Sequence, residues 1–362
     1  MSRLIAAHYQ TSTPYQLPII DWSSIQAVAP TKLPVSAGVL PYADVAIITW
    51  TSAEWSALDH VFLNSDRERG PDAYAWREAW VGYPGQTDAQ PLLYFQRVSV
   101  PSQDGSKDLK VLLVKSEVHL AHPPYISGIE RLVNTIVKDS GVGTIISTGT
   151  AGGATTEQPL GDVLFTCSAH IRLEKTENID HCNYNNTTIT GDNIFAESSL
   201  YDALTEHLTL PMDRIWNDTS IQKAVTELNY RNGTKYSAKD LINTPLEPEN
   251  LSRNTLTITD NQPLLTTDYY FIAESDSDRQ YSFLEMDDAV IGHECQTLGV
   301  KFGFIRNVSD PVVVSKDSHG IPLAKDIRGD WSGIVYSLCG FYTTFNSALA
   351  AWAAVTVLAD NK

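Results

Sequence analysis

Short apolar runs alternate with stretches of helical spacing along most of this chain. The segment Ala43 to Leu58, ADVAIITWTSAEWSAL, predicts a strand that runs into the start of a helix, with Glu54 just inside it. Further apolar runs predict strands at about 91–98 and 110–116, and residues 127–140 carry helical periodicity. TIISTGTAGG, from Thr144 to Gly153, is a β-branched strand entering a turn rich in glycine and hydroxyls. Another strand is expected at 162–168. Residues 176–260 are polar, with helical patterns at 198–208 and 220–228. In FLEMDDAVIGHECQTLGVKFGFIRNVSD, from Phe283 to Asp310, AVIGHECQTLGV predicts a helix and VKFGFIRNV a buried strand. Large residues at Leu338, Phe341, Phe345, Leu349 and Trp352 follow one helical face, while Ser337, Thr343, Thr344, Asn346 and Ser347 interrupt the apolar run. That pattern predicts a packed terminal helix rather than a membrane span.

Strands and helices in alternation predict an α/β fold, in which ligands bind beyond the carboxyl ends of the strands. Three such ends carry polar groups here: Thr49–Glu54, Thr148–Gly153 and Arg306–Asp310. One composite site is expected. The 362 residues are 43% hydrophobic, ample for a large core. A net charge of −17 argues against nucleic acid or an anionic membrane as partner. Cys167, Cys182, Cys295 and Cys339 have no C-x-x-C or metal spacing and read as buried thiols of a reducing compartment. His119 and His122 are spaced H-x-x-H, but no further ligand accompanies them; they read as loop or core histidines, and no metal or cofactor is expected. The N-terminus holds no apolar run of signal-peptide length, and the sequon Asn307-Val308-Ser309 falls inside the expected site, where a glycan would not fit. Both point to the cytoplasm.

Four motifs in order resemble the nucleoside phosphorylase/nucleosidase superfamily, most of all its methylthioadenosine/S-adenosylhomocysteine nucleosidases. They are Glu54 in IITWTSAEWSAL; Thr148–Gly153, TGTAGG, followed by Gly161-Asp162-Val163; Glu285-Met286-Asp287; and Arg306 to Asp310. The resemblance implies a three-layer α/β sandwich, a central mixed twisted sheet flanked by helices. It also implies hydrolysis of a purine, adenine-type N-glycosidic bond without cofactor. Asp310 would be the general acid at purine N7, and Glu54 would activate a water that Arg306 orients. Asp287, where the family has Glu, would bind the ribose hydroxyls. Asp288 could share that task, and Met286 would pack on the sugar. Thr150, Ala151 and Gly152 would line the sugar or water pocket, and Tyr270, with Phe271 next, would stack on the base. A homo-oligomer is implied, most simply a dimer.

Taken singly, each residue has a plainer reading. Asp310 could cap a turn before Pro311, Asp287 or Asp288 could cap the following helix, and Glu54 could answer the helix dipole. A phosphate-dependent phosphorylase and a non-catalytic nucleoside sensor or storage protein remain alternatives. A nucleotide substrate would need local cations, for which Arg67, Arg69, Arg77 and Arg279 are available. Residues 1–40 are expected to form an arm over the surface or over a partner subunit. Residues 41–362 would be one domain, with insertions near 65–90 and 176–260, the latter at the mouth of the site.

Overall fold

The computed structural model describes residues 14–85, 90–155, 157–242, 244–259, 262–270, 273, 280–311, 316–317 and 319–358. Its centre is strand β6, Thr144–Gly153. On one side β6 pairs in parallel with β2, Val45–Thr49, and β2 in turn with β5, Asp108–Ser116. On the other it pairs in parallel with β13, Lys301–Pro311, over its full length. Near its carboxyl end it also meets β12, Phe283–Glu285, antiparallel. Outward from β5 lies the long β4, Pro91–Pro101, flanked by β1, Thr31–Leu33, and β3, Val81–Pro84. Outward from β12 come β11, Leu264–Thr267, then β8, Ser168–Arg172, and β9, Thr188–Thr190. Strand β7, Val163–Thr166, joins β13 to β10, Leu256–Ile258. The sheet is therefore mixed, with thirteen strands among the described residues.

Helices cover both faces. One layer holds α1, Ser52–Leu63, against the 34-residue α8, Lys325–Leu358; α4, Ser199–His207, and α5, Asp218–Asn232, pack on α8 from outside. The short α3, Thr176–Ile179, and α6, Ala238–Leu241, lie in the connections. The other layer holds α2, Ile126–Ser140, against α7, Asp288–Leu298. The cores on the two faces contain Phe62, Trp216, Phe345 and Trp352 on one side and Ile129, Leu132, Ile291 and Phe304 on the other. This is the three-layer α/β sandwich with a central mixed sheet.

Helix α8 is long and apolar enough to cross a membrane, but its apolar window is mostly buried inside the protein. It packs as the core helix that the spacing of its large residues predicts. Its polar interruptions are buried and used: Asn346 Oδ1 accepts from Leu210 N at 2.8 Å and its amide donates to Gly161 and Leu210 carbonyls.

Two expectations change, and a third, which left two alternatives open, is narrowed. The stretch TGTAGG is not a turn: β6 runs to Gly153, because β13 continues alongside and uses its backbone groups. Of the two places expected for the N-terminal arm, residues from 14 onward take the first, the surface of their own domain. Leu17, Ile20, Trp22 and Ile25 are buried, and Trp22 packs on Trp352 with ring centroids 4.5 Å apart. Residues 194–251 lie beside α8 and its connections, where Trp216 packs edge-on to Trp331 at 5.8 Å, whereas Tyr184 and Ile189 pack on the α2–α7 side. None of the described residues of 176–260 lines the cavity expected at their side.

Candidate active site

Beyond the carboxyl ends of β2, β6 and β13 lies a cavity of about 320 Å³. It is lined by Glu54, Thr150, Ala151, Gly152, Tyr270, Met286, Asp287, Arg306 and Asp310, so the four sequence motifs converge on it. Of the other expected residues, Asp288 does not line it, and Phe271 lies outside the described residues.

Glu54 starts from a local signal. Thr51 caps α1 and Glu54 answers from the third position, a reciprocal capping box. Its Oε2 accepts from Thr49 Oγ1 at 3.0 Å, Trp50 N at 2.9 Å and Thr51 N at 2.8 Å. Its Oε1 accepts from the Thr150 amide at 2.8 Å and the Thr150 hydroxyl at 2.7 Å. The carboxylate lies so close over Gly149 that any Cβ there would collide with it, which explains a glycine at this point of β6. Burial opposes its charge. The field of Arg306 and the donors of Thr150 and Thr51 outweigh burial and hold its pKa below the ordinary carboxylate value. The side chain is thus both the helix cap of the plainer reading and an anion at the cavity wall.

Asp310 has the opposite character. A β-bulge at Ser309 interrupts the alternation of β13. Arg306 reaches toward α7, and Val308 packs in the core on that face, whereas Asp310 meets Ser332 of α8 on the other side. Ser309 Oγ lies 2.6 Å from Asp310 Oδ1, and Ser332 Oγ donates to Oδ2. Burial raises its pKa, and the two hydroxyls only partly pull it back. Tyr270 stands over this end of the cavity, 54% exposed, with a pKa raised first by burial and then by the charge of Asp310.

Arg306 is fully engaged. Its Nε donates to Asp288 Oδ2 at 2.8 Å, and its Nη2 to Asp288 Oδ1 at 2.5 Å and to Ser147 Oγ at 2.8 Å. The guanidinium also lies over the Trp50 ring, 5.2 Å from its centroid. Burial works against its charge, but Asp288 and Glu285 outweigh it and keep it protonated. Asp288 is consequently not a partner for sugar hydroxyls. It is completely buried as the counter-ion of Arg306, at a position where a small residue would leave that cation with only the longer, 3.5 Å contact to Glu285. Glu285, too, is inward: it accepts from Thr266 Oγ1, Asp287 N and Asp288 N, so it shapes the β12–α7 turn.

Asp287 faces the cavity. Its Oδ1 accepts from Leu120 N at 2.9 Å, and Oδ2 lies 3.4 Å from His119 Nε2. Burial pushes its carboxyl up to about 7. His119, read from sequence as a loop or core residue, lines the cavity instead. Burial lowers its pKa to about 4, so the imidazole is neutral at physiological pH.

Trp50, Ser309, Tyr269 and Tyr336 complete the lining. Tyr336 comes from α8; burial raises its pKa, and Thr51 and Thr150, the same residues that hold Glu54, pull it partly back. No local motif marks it: in the sequence it is one more large residue of an amphipathic helix. Of the cations offered for a nucleotide, Arg69 is buried on Asp59, Arg77 lies over Trp55 and Tyr74, and Arg67 is exposed beside Asp66. None of these lines the cavity, and Arg279 lies outside the described residues. All four cysteines are buried and unpaired.

No protein-family model and no curated protein matches the chain. Solved structures do. The 5′-methylthioadenosine/S-adenosylhomocysteine nucleosidase of Helicobacter pylori, complexed with a substituted pyrrolidin-3-ol, is 11% identical; the match covers 89% of this chain and 100% of that one, with a TM-score of 0.47. The corresponding nucleosidase of Neisseria meningitidis, in complex with methylthio-immucillin-A, is 13% identical over 86% and 98%, TM-score 0.46. Futalosine hydrolase of Helicobacter pylori is 11% identical over 85% and 97%, TM-score 0.43. Likeness at this level speaks to neither substrate nor activity.

Proposed function

We propose that the chain is a hydrolase of purine nucleosides, releasing an adenine-type base from its sugar. One observation carries this reading. A single cavity holds two carboxyl groups whose surroundings push them in opposite directions: Asp310 up by burial, Glu54 down by Arg306 and backbone donors. Carboxyls driven apart in this way supply an acid and an anion at the same pH. Cleavage of a purine N-glycosidic bond needs both. The departing purine must gain a proton, and the oxocarbenium-like sugar must be stabilised and met by a nucleophile.

In this scheme protonated Asp310 delivers its proton to N7 as the C1′–N9 bond breaks. Tyr270 covers the base. Asp287 accepts from the sugar hydroxyls, and Met286 and Ala151 bound the sugar. The positive sugar faces the Glu54 anion, whose field also draws and orients a water polarised by the Thr51, Thr150 and Tyr336 hydroxyls. With five protein donors already on it, Glu54 is a weak base. Water attacking an oxocarbenium ion becomes acidic as the new bond forms, so a weak base suffices.

Electrostatics favours water over phosphate. Among the described lining residues the carboxyls are Glu54, Glu285, Asp287 and Asp310, and the one permanent cation, Arg306, is neutralised by Asp288. A phosphate dianion would enter without a free counter-charge, whether as nucleophile or as the 5′-group of a nucleotide. Asp310 can donate to N7 and accept from a 6-amino group through its other oxygen. A 6-oxo group would face that acceptor, at a cost of roughly 1–3 kcal/mol. A panel of adenosine, methylthioadenosine, inosine and AMP, followed by chromatography of the free base, tests the assignment. Adenine nucleosides are expected to react with higher kcat/KM than inosine or AMP. An inosine preference would overturn the role of Asp310 in reading the base, and binding without base release would mark a sensor.

A further inference from the structure

Asp287 occupies a place where the family resemblance calls for a longer side chain, and something must make up the reach to a sugar diol. The loop ahead of α2 does so. The amide of Ala121 donates to His119 Nδ1 at 3.0 Å. That nitrogen therefore carries no proton, and in a neutral imidazole the proton must sit on Nε2. Nε2 lies 3.4 Å from Asp287 Oδ2, at the cavity wall. The next residue of the same loop, Leu120, donates its amide to Oδ1. The loop thus fixes the carboxyl at one oxygen and sets a donor of known tautomer beside the other.

We propose that His119 Nε2–H and the Asp287 carboxyl together form a donor–acceptor pair that reads the vicinal diol of a ribose, and that His119 makes the site discriminate against deoxyribose. A cis-diol offers what this pair lacks: one hydroxyl donates to Asp287, while an oxygen of the diol accepts from His119. A carboxylate alone would bind only through the hydroxyl hydrogens. The 3.4 Å gap is longer than a good hydrogen bond, so Nε2–H has little to lose by turning to a ligand oxygen. Neutrality of the ring, favoured by burial, keeps it a donor without adding charge beside the developing cation. This inference rests on the nucleoside reading of the cavity.

Two substitutions separate the imidazole's two nitrogens. His119→Asn retains an acceptor near Nδ1 for the Ala121 amide and deletes the Nε2 donor. His119→Gln places an amide N–H near the Nε2 position and gives up the Nδ1 acceptor. Base release from adenosine, 2′-deoxyadenosine and 3′-deoxyadenosine is compared by kcat/KM. The parent should prefer adenosine over at least one deoxy analogue. His119→Asn should cut that preference about tenfold, the worth of one neutral hydrogen bond, and His119→Gln should keep most of it. A structural role in the loop gives the reverse order, with Asn tolerated and Gln impaired alike on all three substrates, and overturns the proposal. So does an adenosine preference that neither variant changes. If the parent binds these nucleosides without releasing base, the hydrolase reading fails, and the same ratios are read from calorimetric Kd values, which decide the diol inference separately. If none of the three binds, both readings fall.

Discussion

In the proposed hydrolysis Asp310 and Glu54 carry the chemistry, and their substitutions should behave differently. Asp310→Asn removes the proton destined for N7 while leaving an oxygen to accept from Ser309 or Ser332. Base release should fall by about 10²–10⁴-fold, the usual worth of general acid catalysis, with the melting temperature nearly unchanged. Steady-state kinetics within a few-fold of the parent would remove Asp310 from the mechanism. Glu54→Gln is not so mild. A glutamine has one acceptor oxygen, whereas backbone amides of Trp50, Thr51 and Thr150 converge on both oxygens of Glu54. Either orientation sets an N–H against an N–H. The variant should lose activity and also about 1–3 kcal/mol of stability, measurable by urea unfolding. An inactive variant of parental stability would mean that these donors are not where the structure puts them.

The elements explain which parts of the site were legible. The motifs at the ends of β2, β6 and β13 could be read because each couples a buried strand to polar residues at a fixed position. Asp287 could be read because it follows a short strand and precedes a helix. Asp288 was misjudged because its partner, Arg306, lies 18 residues away on β13, and the two meet only when α7 folds back along that strand. His119, Ser332 and Tyr336 were hidden for the same reason: their neighbours are remote in sequence, and their own surroundings look like ordinary loop and helix. The tract at 176–260 looked like an insertion at the mouth because it is polar. In the fold its apolar residues, among them Trp216, Ile221 and Leu228, pack most of it on α8, and Tyr184 and Ile189 pack its start on the α2–α7 side. α8 also tunes the acid. Ser332→Ala removes a donor that holds the Asp310 pKa down, so that pKa should rise further. Activity needs the protonated form; its loss at high pH should therefore move to higher pH in the variant. A pH profile of kcat/KM that is unmoved, or moved to lower pH, would contradict the Ser332–Asp310 contact.

On the scale of the whole molecule, buried carboxyls concentrated in one cavity should make stability depend on pH. Asp287 has a folded pKa of about 7 against an ordinary value of 3.8. Between these values the folded state keeps a proton that the unfolded state has lost, so the contribution to stability is complete below about 4 and lost as pH rises through about 7. Glu285 and Asp310 are shifted in the same direction, and the net charge of −17 adds repulsion at higher pH. Glu54, lowered, works oppositely, but only as the pH falls below the ordinary carboxylate range. His60 and His119, lowered to about 4, oppose this slope up to about pH 6.5. Thermal unfolding from pH 6.5 to pH 8 should therefore show a declining melting temperature, and Asp287→Asn, neutral throughout, should decline less steeply. Equal slopes would show that Asp287 is ionised in the folded protein across this range.

In the proposed reaction that same concentration of carboxyls favours water as the nucleophile, and the products report it. The most direct measurement is incubation of the purified protein with adenosine in phosphate-free buffer and again with millimolar orthophosphate, with adenine, ribose and ribose 1-phosphate all quantified, and with Asp310→Asn as the blank. Adenine and free ribose should appear in equal amounts at a rate that added phosphate does not increase. Silence until phosphate is supplied, with ribose 1-phosphate as the product, would contradict hydrolysis.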